Sequence, residues 1–288
     1  MENILELKQV SKTFSKSGFT LDQVSFELPY GAVMGFVGEN GAGKTTTLGC
    51  ILNTIRKDSG TVKLFGREMS DADTDMREEI GVVYDGGNFP PYWNAKQLSH
   101  VMEGFYAKWD QALFQKYLEE FQLPAKQKIK YYSRGMTMKL AIAAALAHRP
   151  KLLIMDEATS GLDPVMRDEM LDVFLEFVQE EDHSILLSSH ITSDLERIAD
   201  YIGFIHNGKL IMNVSKNDLA YRYAVIRCKE SQFRTLDPGD IIAYRKRDYQ
   251  IDVLVPEGKE AERKYPDVVV DHVSIDEIML LLVKGERT

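Results

Sequence analysis

Gly38-Glu39-Asn40-Gly41-Ala42-Gly43-Lys44-Thr45 has the complete form of a phosphate-binding loop, two glycines bracketing four residues with a lysine and a hydroxyl residue behind them. Glycine reaches backbone conformations closed to other residues, so successive N–H groups can turn onto one anion with no side chain in the way. A helix starting at the loop adds the positive end of its dipole. Lys44 can reach terminal phosphate oxygens, and Thr45 can ligate Mg²⁺. The flanks agree: Val33 to Val37 reads as a strand, and Lys44 to Ile55 has helical character.

A second motif, Leu152-Leu153-Ile154-Met155-Asp156-Glu157, reads as a strand buried on both faces that ends in two carboxylates. Such carboxylates are costly to bury unless a cation or a proton transfer uses them. Asp156 is expected to hold Mg²⁺ through water, and Glu157 to face an attacking water as general base. Between the two motifs, Tyr132-Ser133-Arg134-Gly135-Met136 opens an alanine-rich helix from Ser133 to His148. A serine cap, a glycine and a helix N-terminus make a second anion site. One nucleotide cannot occupy both anion sites of a single protomer. Two protomers meeting head to tail could each offer the Ser133 site to the other's γ-phosphate.

The order of phosphate loop, serine–glycine segment, acidic strand end, Ser160-Gly161-Leu162-Asp163 and His190 resembles an ABC ATPase over about residues 1–220. The resemblance implies an α/β fold: a P-loop NTPase core with an antiparallel β subdomain and a helical lobe over about residues 86–149. A small C-terminal α+β domain is expected over residues 221–288, where the texture changes. ATP and Mg²⁺ are the implied cofactors. The nucleotide contacts are expected from Gly38, Asn40, Gly41, Gly43, Lys44, Thr45 and Thr46, with Phe14, 24 residues before Gly38, stacking on adenine. Ser133, Gly135 and Asp163 would act across a dimer interface; Glu157, His190 and Lys44 form the catalytic set; Thr45, Asp156 and Asp85 form the metal set. Plainer roles stand beside these: Phe14 as a core residue, Asp163 as a cap before Pro164, and His190 as a cap of the next helix.

Two departures from the family pattern stand out. The signature segment usually reads leucine-serine-glycine-glycine-glutamine, and Tyr132, Arg134 and Met136 differ from it. Such variants resemble the exporter ATPases of drug, bacteriocin and amphipathic-peptide resistance systems. Asp85 stands where the family has glutamine after the strand Ile80 to Tyr84, and an ionised aspartate cannot donate a hydrogen bond. Either the coupling to metal and membrane partner differs, or Asn88 substitutes. Phe89, Tyr92 and Trp93 follow, read either as the groove that docks a permease helix or as the core of the helical lobe.

Composition bounds the rest. A net charge of −9 over 288 residues opposes a general nucleic-acid surface, and no nucleic-acid partner is expected. No apolar run approaches the roughly 20 residues of a membrane span. Cys50 and Cys228 form no ligand pattern and read as reduced packing residues. The expectation is a cytoplasmic subunit, peripheral on the membrane through a separate permease chain, working as a homodimer or heterodimer. The rivals are a soluble ABC ATPase for cofactor assembly or regulation, and a degenerate binding module, which intact Lys44, Asp156, Glu157 and His190 oppose. Helical spacing is expected from Asn94 to about Phe121, a hairpin at Asn207-Gly208, further strands over 223–228 and 249–255, and a closing helix from Ile275 to Val283.

Overall fold

The computed structural model describes residues 2–70, 72–86 and 89–286. The chain opens with β1 (Asn3–Phe14), β2 (Phe19–Pro29), β3 (Val33–Val37), α1 (Lys44–Ile51), β4 (Ser59–Leu64), β5 (Arg67–Glu68), α2 (Thr74–Glu78) and β6 (Ile80–Val83). A helical lobe follows, with α3 (Ala95–Phe105), α4 (Gln111–Glu120) and α5 (Arg134–Leu146). The chain then returns to the sheet as β7 (Leu152–Asp156), α6 (Pro164–Phe177), β8 (Ser184–Ser189), α7 (Thr192–Ile198), β9 (Tyr201–His206), β10 (Lys209–Ser215) and α8 (Lys216–Arg222). The last stretch holds β11 (Tyr223–Cys228), α9 (Glu230–Phe233), β12 (Ala243–Lys246), β13 (Ile251–Pro256), α10 (Gly258–Lys264), β14 (Val269–His272) and α11 (Ile275–Lys284).

Three sheets result. One is antiparallel, in the order β2-β1-β4-β5. The central sheet runs β10-β9-β3-β8-β7-β6, parallel except for β10, which returns from β9 through Asn207-Gly208. Both turn residues have positive φ, 47° and 77°, as a two-residue hairpin of this hand requires. Strands β3, β7 and β8 are buried at every residue, which is why they read as unbroken apolar runs. Residues on β2 alternate between buried and exposed along much of the strand, as expected of a strand with one wet face.

The register aligns the functional ends. Val37 pairs with Ser189, and Asp156 pairs with Ser188, so β3, β8 and β7 finish side by side. The loops that leave these strands therefore emerge at one edge, where ligands of open α/β sheets bind.

Two helix expectations change. The helix after the phosphate loop ends at Ile51, and Asn53 then takes a left-handed φ of 54°. The helical stretch from Asn94 to Phe121 is two helices, because Tyr106 is extended and Asp110 caps a fresh start by accepting from Leu113 N. Asn94 and Gln97 form a reciprocal capping box at the head of α3.

The third sheet has the order β12-β13-β11-β14. One set of its residues, including Ile226 and Val253, makes a small cluster of its own. Val225 and Leu254, with Ile278 and Leu281 of α11, join the main core beside Leu195 and Ile198 of α7. Glu196 of α7 accepts a hydrogen bond from Ile275 N at 3.1 Å, so α7 helps cap α11. The C-terminal stretch is thus packed onto the helix that follows His190. Both cysteines are free and buried, and burial raises both thiol pKa values, Cys228 to about 11.

Candidate nucleotide site

The phosphate loop joins β3 to α1 in the conformation its glycines predict. Gly41 and Gly43 have φ of 82° and 116°, and Gly43 is the N-cap of α1. A Cβ at Gly43 would lie 3.0 Å from the Phe19 ring, so both conformation and space demand glycine there. Gly38 is glycine for packing, since a Cβ would come within 2.4 Å of Ile205 O. Beside the loop lies a cleft of about 420 Å³, lined among others by Phe14, Phe19, Asn40, Thr46 and Glu157. Phe14 is half-buried on this cleft rather than in the core, its ring centroid 6.4 Å from that of Phe19.

Lys44 is buried and folds back across the loop. Its Nζ donates to Gly38 O at 2.7 Å and lies 3.2 Å from Glu157 Oε1. Glu157 itself has a left-handed φ of 54°, uncommon for a residue with a side chain. That turn aims the carboxylate back over the loop. Glu157 Oε2 meets His190 Nδ1 at 2.5 Å, and the His190 backbone N–H lies 3.4 Å away. The two basic groups hold the carboxylate between them.

Asp156 is buried, and both its oxygens are used. Oδ2 accepts from Thr45 Oγ1 at 2.7 Å, and Oδ1 accepts from Ser188 Oγ at 2.5 Å. Ser188 belongs to none of the sequence motifs; the signal available was its place directly before Ser189 and His190 at a strand end. A buried polar group lies behind the catalytic loop as well. Arg167 of α6 donates to Leu162 O at 3.3 Å and stands 3.9 Å from Asp194 of α7. Burial pushes the Asp194 carboxyl above the usual aspartate range, opposed by Thr159 and Arg167. Nothing in the local sequence marks this contact, since it joins three separate segments.

Ser133 caps α5, accepting from Met136 N at 3.1 Å. Gly135 is buried, and a Cβ there would lie 2.7 Å from Met166 Sδ, so its small size is set by α6. Asp163 caps α6 through hydrogen bonds from Val165 N and Met166 N, with Pro164 next. Within one chain, then, Asp163 has the plainer role of cap. While Thr45 donates to Asp156, Asp85 pairs with Arg134. Its Oδ1 accepts from Arg134 Nη2 at 2.7 Å, and the described residues contain no group of three or more His, Cys, Asp or Glu side chains arranged to hold a metal. A guanidinium is a strong partner for an ionised carboxylate. Asn88, the alternative to Asp85, lies outside the described residues. Of the aromatics nearby, Tyr92 is exposed, while Phe89 and Trp93 pack against the core, so they do not form one exposed patch.

A family model described as ABC transporter matches residues 21–160. The lantibiotic transport ATP-binding protein SrtF of Streptococcus pyogenes is 35% identical over 73% of this chain and 90% of its own. The chain belongs to the ABC transporter ATP-binding family. Other relatives are the bacitracin transport ATP-binding protein BcrA of Bacillus licheniformis, 29% identical over 87% of this chain and 81% of its own. The ABC transporter ATP-binding protein YtrB of Bacillus subtilis is 28% identical over 99% of both chains. Among solved structures, an ATP binding subunit of an ABC transporter superposes with a TM-score of 0.68 at 26% identity, covering 75% of this chain and 91% of its own. A dimeric ATP-binding cassette in a post-hydrolysis state with ADP and Pi has a TM-score of 0.65 at 21% identity, covering 73% and 98%, and shows the shared fold. As an ATP-binding member of this family, the chain is an ATPase, and no helix among its described residues is long and apolar enough to cross a membrane.

Proposed function

We propose that the chain powers export of a peptide or peptide-like antimicrobial through a permease carried on a separate chain, from the inner face of the membrane. The observation that carries the ATPase part is the meeting of Lys44, Glu157 and His190 within 3.2 Å contacts at the sheet edge. The bacitracin and lantibiotic names of relatives support the substrate class.

In this reading ATP enters the cleft with Phe14 stacked on the base and its phosphates in the glycine loop, against Asn40, Gly41, Gly43 and Thr46. The γ-phosphate draws Lys44 and His190 onto its own oxygens. That movement frees Glu157 to orient water and accept its proton as the oxygen attacks phosphorus and the bond to ADP breaks. Thr45 Oγ1, on the cleft, and Asp156 Oδ2, 2.7 Å from it, are hard oxygen groups that fit Mg²⁺ and would hold it there. The metal would offset charge on the β- and γ-phosphate oxygens. Ser133 and the head of α5 would close on the nucleotide of a second copy or a related ATPase.

The test is protection. Expression of the chain with its permease in a bacitracin- or nisin-sensitive host should raise resistance, and Lys44→Ala should abolish the gain. Equal resistance with and without Lys44 would remove the export reading.

A further inference from the structure

Arg134 occupies the first turn of α5, an unfavourable place for a cation because the helix dipole is positive there. Its surroundings explain the choice. The guanidinium donates to Asp85 Oδ1 at 2.7 Å. It also lies flat on Gly161, where an added Cβ would stand 2.9 Å from Arg134 Cζ and 3.0 Å from Nε. Gly161 has a φ of 74°, so the backbone requires glycine there, and the missing side chain leaves room for the guanidinium to rest against it.

One side chain therefore joins three segments. Asp85 follows the edge strand β6; Val83 pairs with Met155, so Asp85 lies two residues past that pair, as Glu157 does on β7. Gly161 sits in the loop between Glu157 and the Asp163 cap. Arg134 itself begins the helix that Ser133 caps. Without the cation, Asp85 would add a third negative charge at the strand ends that carry Asp156 and Glu157. With it, the helical lobe is tied by charge to the end of β6 and by shape to the loop that follows Glu157.

We propose that Arg134 is a positioning residue, clamping the head of α5 to Asp85 and Gly161 so that the Ser133 anion site faces the nucleotide of the second copy. The proposal rests on the two-copy reading above. About half of each side chain is exposed in the single chain, so the pair adds little to stability there. Its effect belongs to the closed dimer, where the same surface is covered and the interaction strengthens.

The experiment is charge reversal in a Glu157→Gln background, which should hold ATP with little turnover. Asp85→Arg, Arg134→Asp and the double swap are compared with the background by sedimentation, with and without MgATP. Binding of a fluorescent ATP analogue to the phosphate loop and the melting temperature serve as controls. Each single reversal should weaken ATP-dependent dimerisation by about tenfold or more, within the range of coupling between contacting charged residues. Analogue binding should stay within about twofold, and the double swap should recover most of the loss. If the swap dimerises no better than the worse single variant, or if neither single variant is impaired, the clamp is wrong. If the Glu157→Gln background itself never dimerises with MgATP, the two-copy reading fails, which is a separate outcome.

Discussion

Glu157 shows how much work one backbone angle does. A left-handed φ at a non-glycine residue is rare, and here it turns a strand-end carboxylate onto Lys44 and His190. Substituting glutamine keeps the shape and removes the proton acceptor. Glu157→Gln should lower kcat by on the order of 10² to 10⁴ while ATP still binds, measured by phosphate release and by equilibrium binding; turnover at the normal rate would reassign the base. Ser188 acts one step further out, donating to Asp156. Ser188→Ala should leave Asp156 in place with one fewer donor and raise the Mg²⁺ concentration for half-maximal ATPase by about tenfold, the worth of one hydrogen bond to a charged group. An unchanged Mg²⁺ requirement would make Ser188 a packing residue. Asp156 and Glu157 could be read from the sequence because two acids ending an apolar run conflict with burial. Ser188 could not, because one serine in a Ser-Ser-His run carries no such conflict and its role comes only from the pairing of β7 with β8.

Elements record where local signals compete. The break between α3 and α4 was available in the sequence as Asp110, a good cap, yet apolar spacing runs across it and masks it. The end of α1 depends on Asn53 turning left-handed, which spacing does not reveal. The short elements α9, α10, β12 and β14 have too few residues for periodicity to show, and tertiary pairing decides them. At the end of α5, His148 is buried, its Nε2 donating to Ile80 O at 3.2 Å and its ring stacked 4.0 Å from Tyr106. Burial holds its pKa below the ordinary histidine value of 6.5. The folded state therefore keeps the ring neutral where the unfolded chain would take up a proton. This contribution to stability is complete above the ordinary value and is lost as pH falls through the depressed one. Melting temperature should drop on acidification across that window, and His148→Leu should flatten this part of the profile while lowering stability at neutral pH. Parallel profiles for the two proteins would show that His148 does not titrate on unfolding.

Across the whole molecule, three sheets serve one sheet edge. The central sheet sets the chemistry, the β1–β2 sheet brings Phe14 and Phe19 to the cleft, and the third sheet packs through α11 onto α7. The change in texture near residue 221 was visible in the sequence, but its shared core with α7 was not, because Val225, Leu254 and Ile278 join one core with Leu195 only after folding. Ending the chain at residue 220 should uncover that apolar surface, lower the melting temperature of the ATPase portion and promote aggregation. An unaltered melting temperature would mean that the tail folds on its own and supports nothing.

The account as a whole turns on where the γ-phosphate sits when the protein closes. A crystal structure of Glu157→Gln with MgATP tests this most directly. It should show each γ-phosphate held by Lys44 and His190 of one copy and within hydrogen-bond distance of Ser133 Oγ on the other. A closed, ATP-loaded protein whose Ser133 faces solvent in every copy would contradict it.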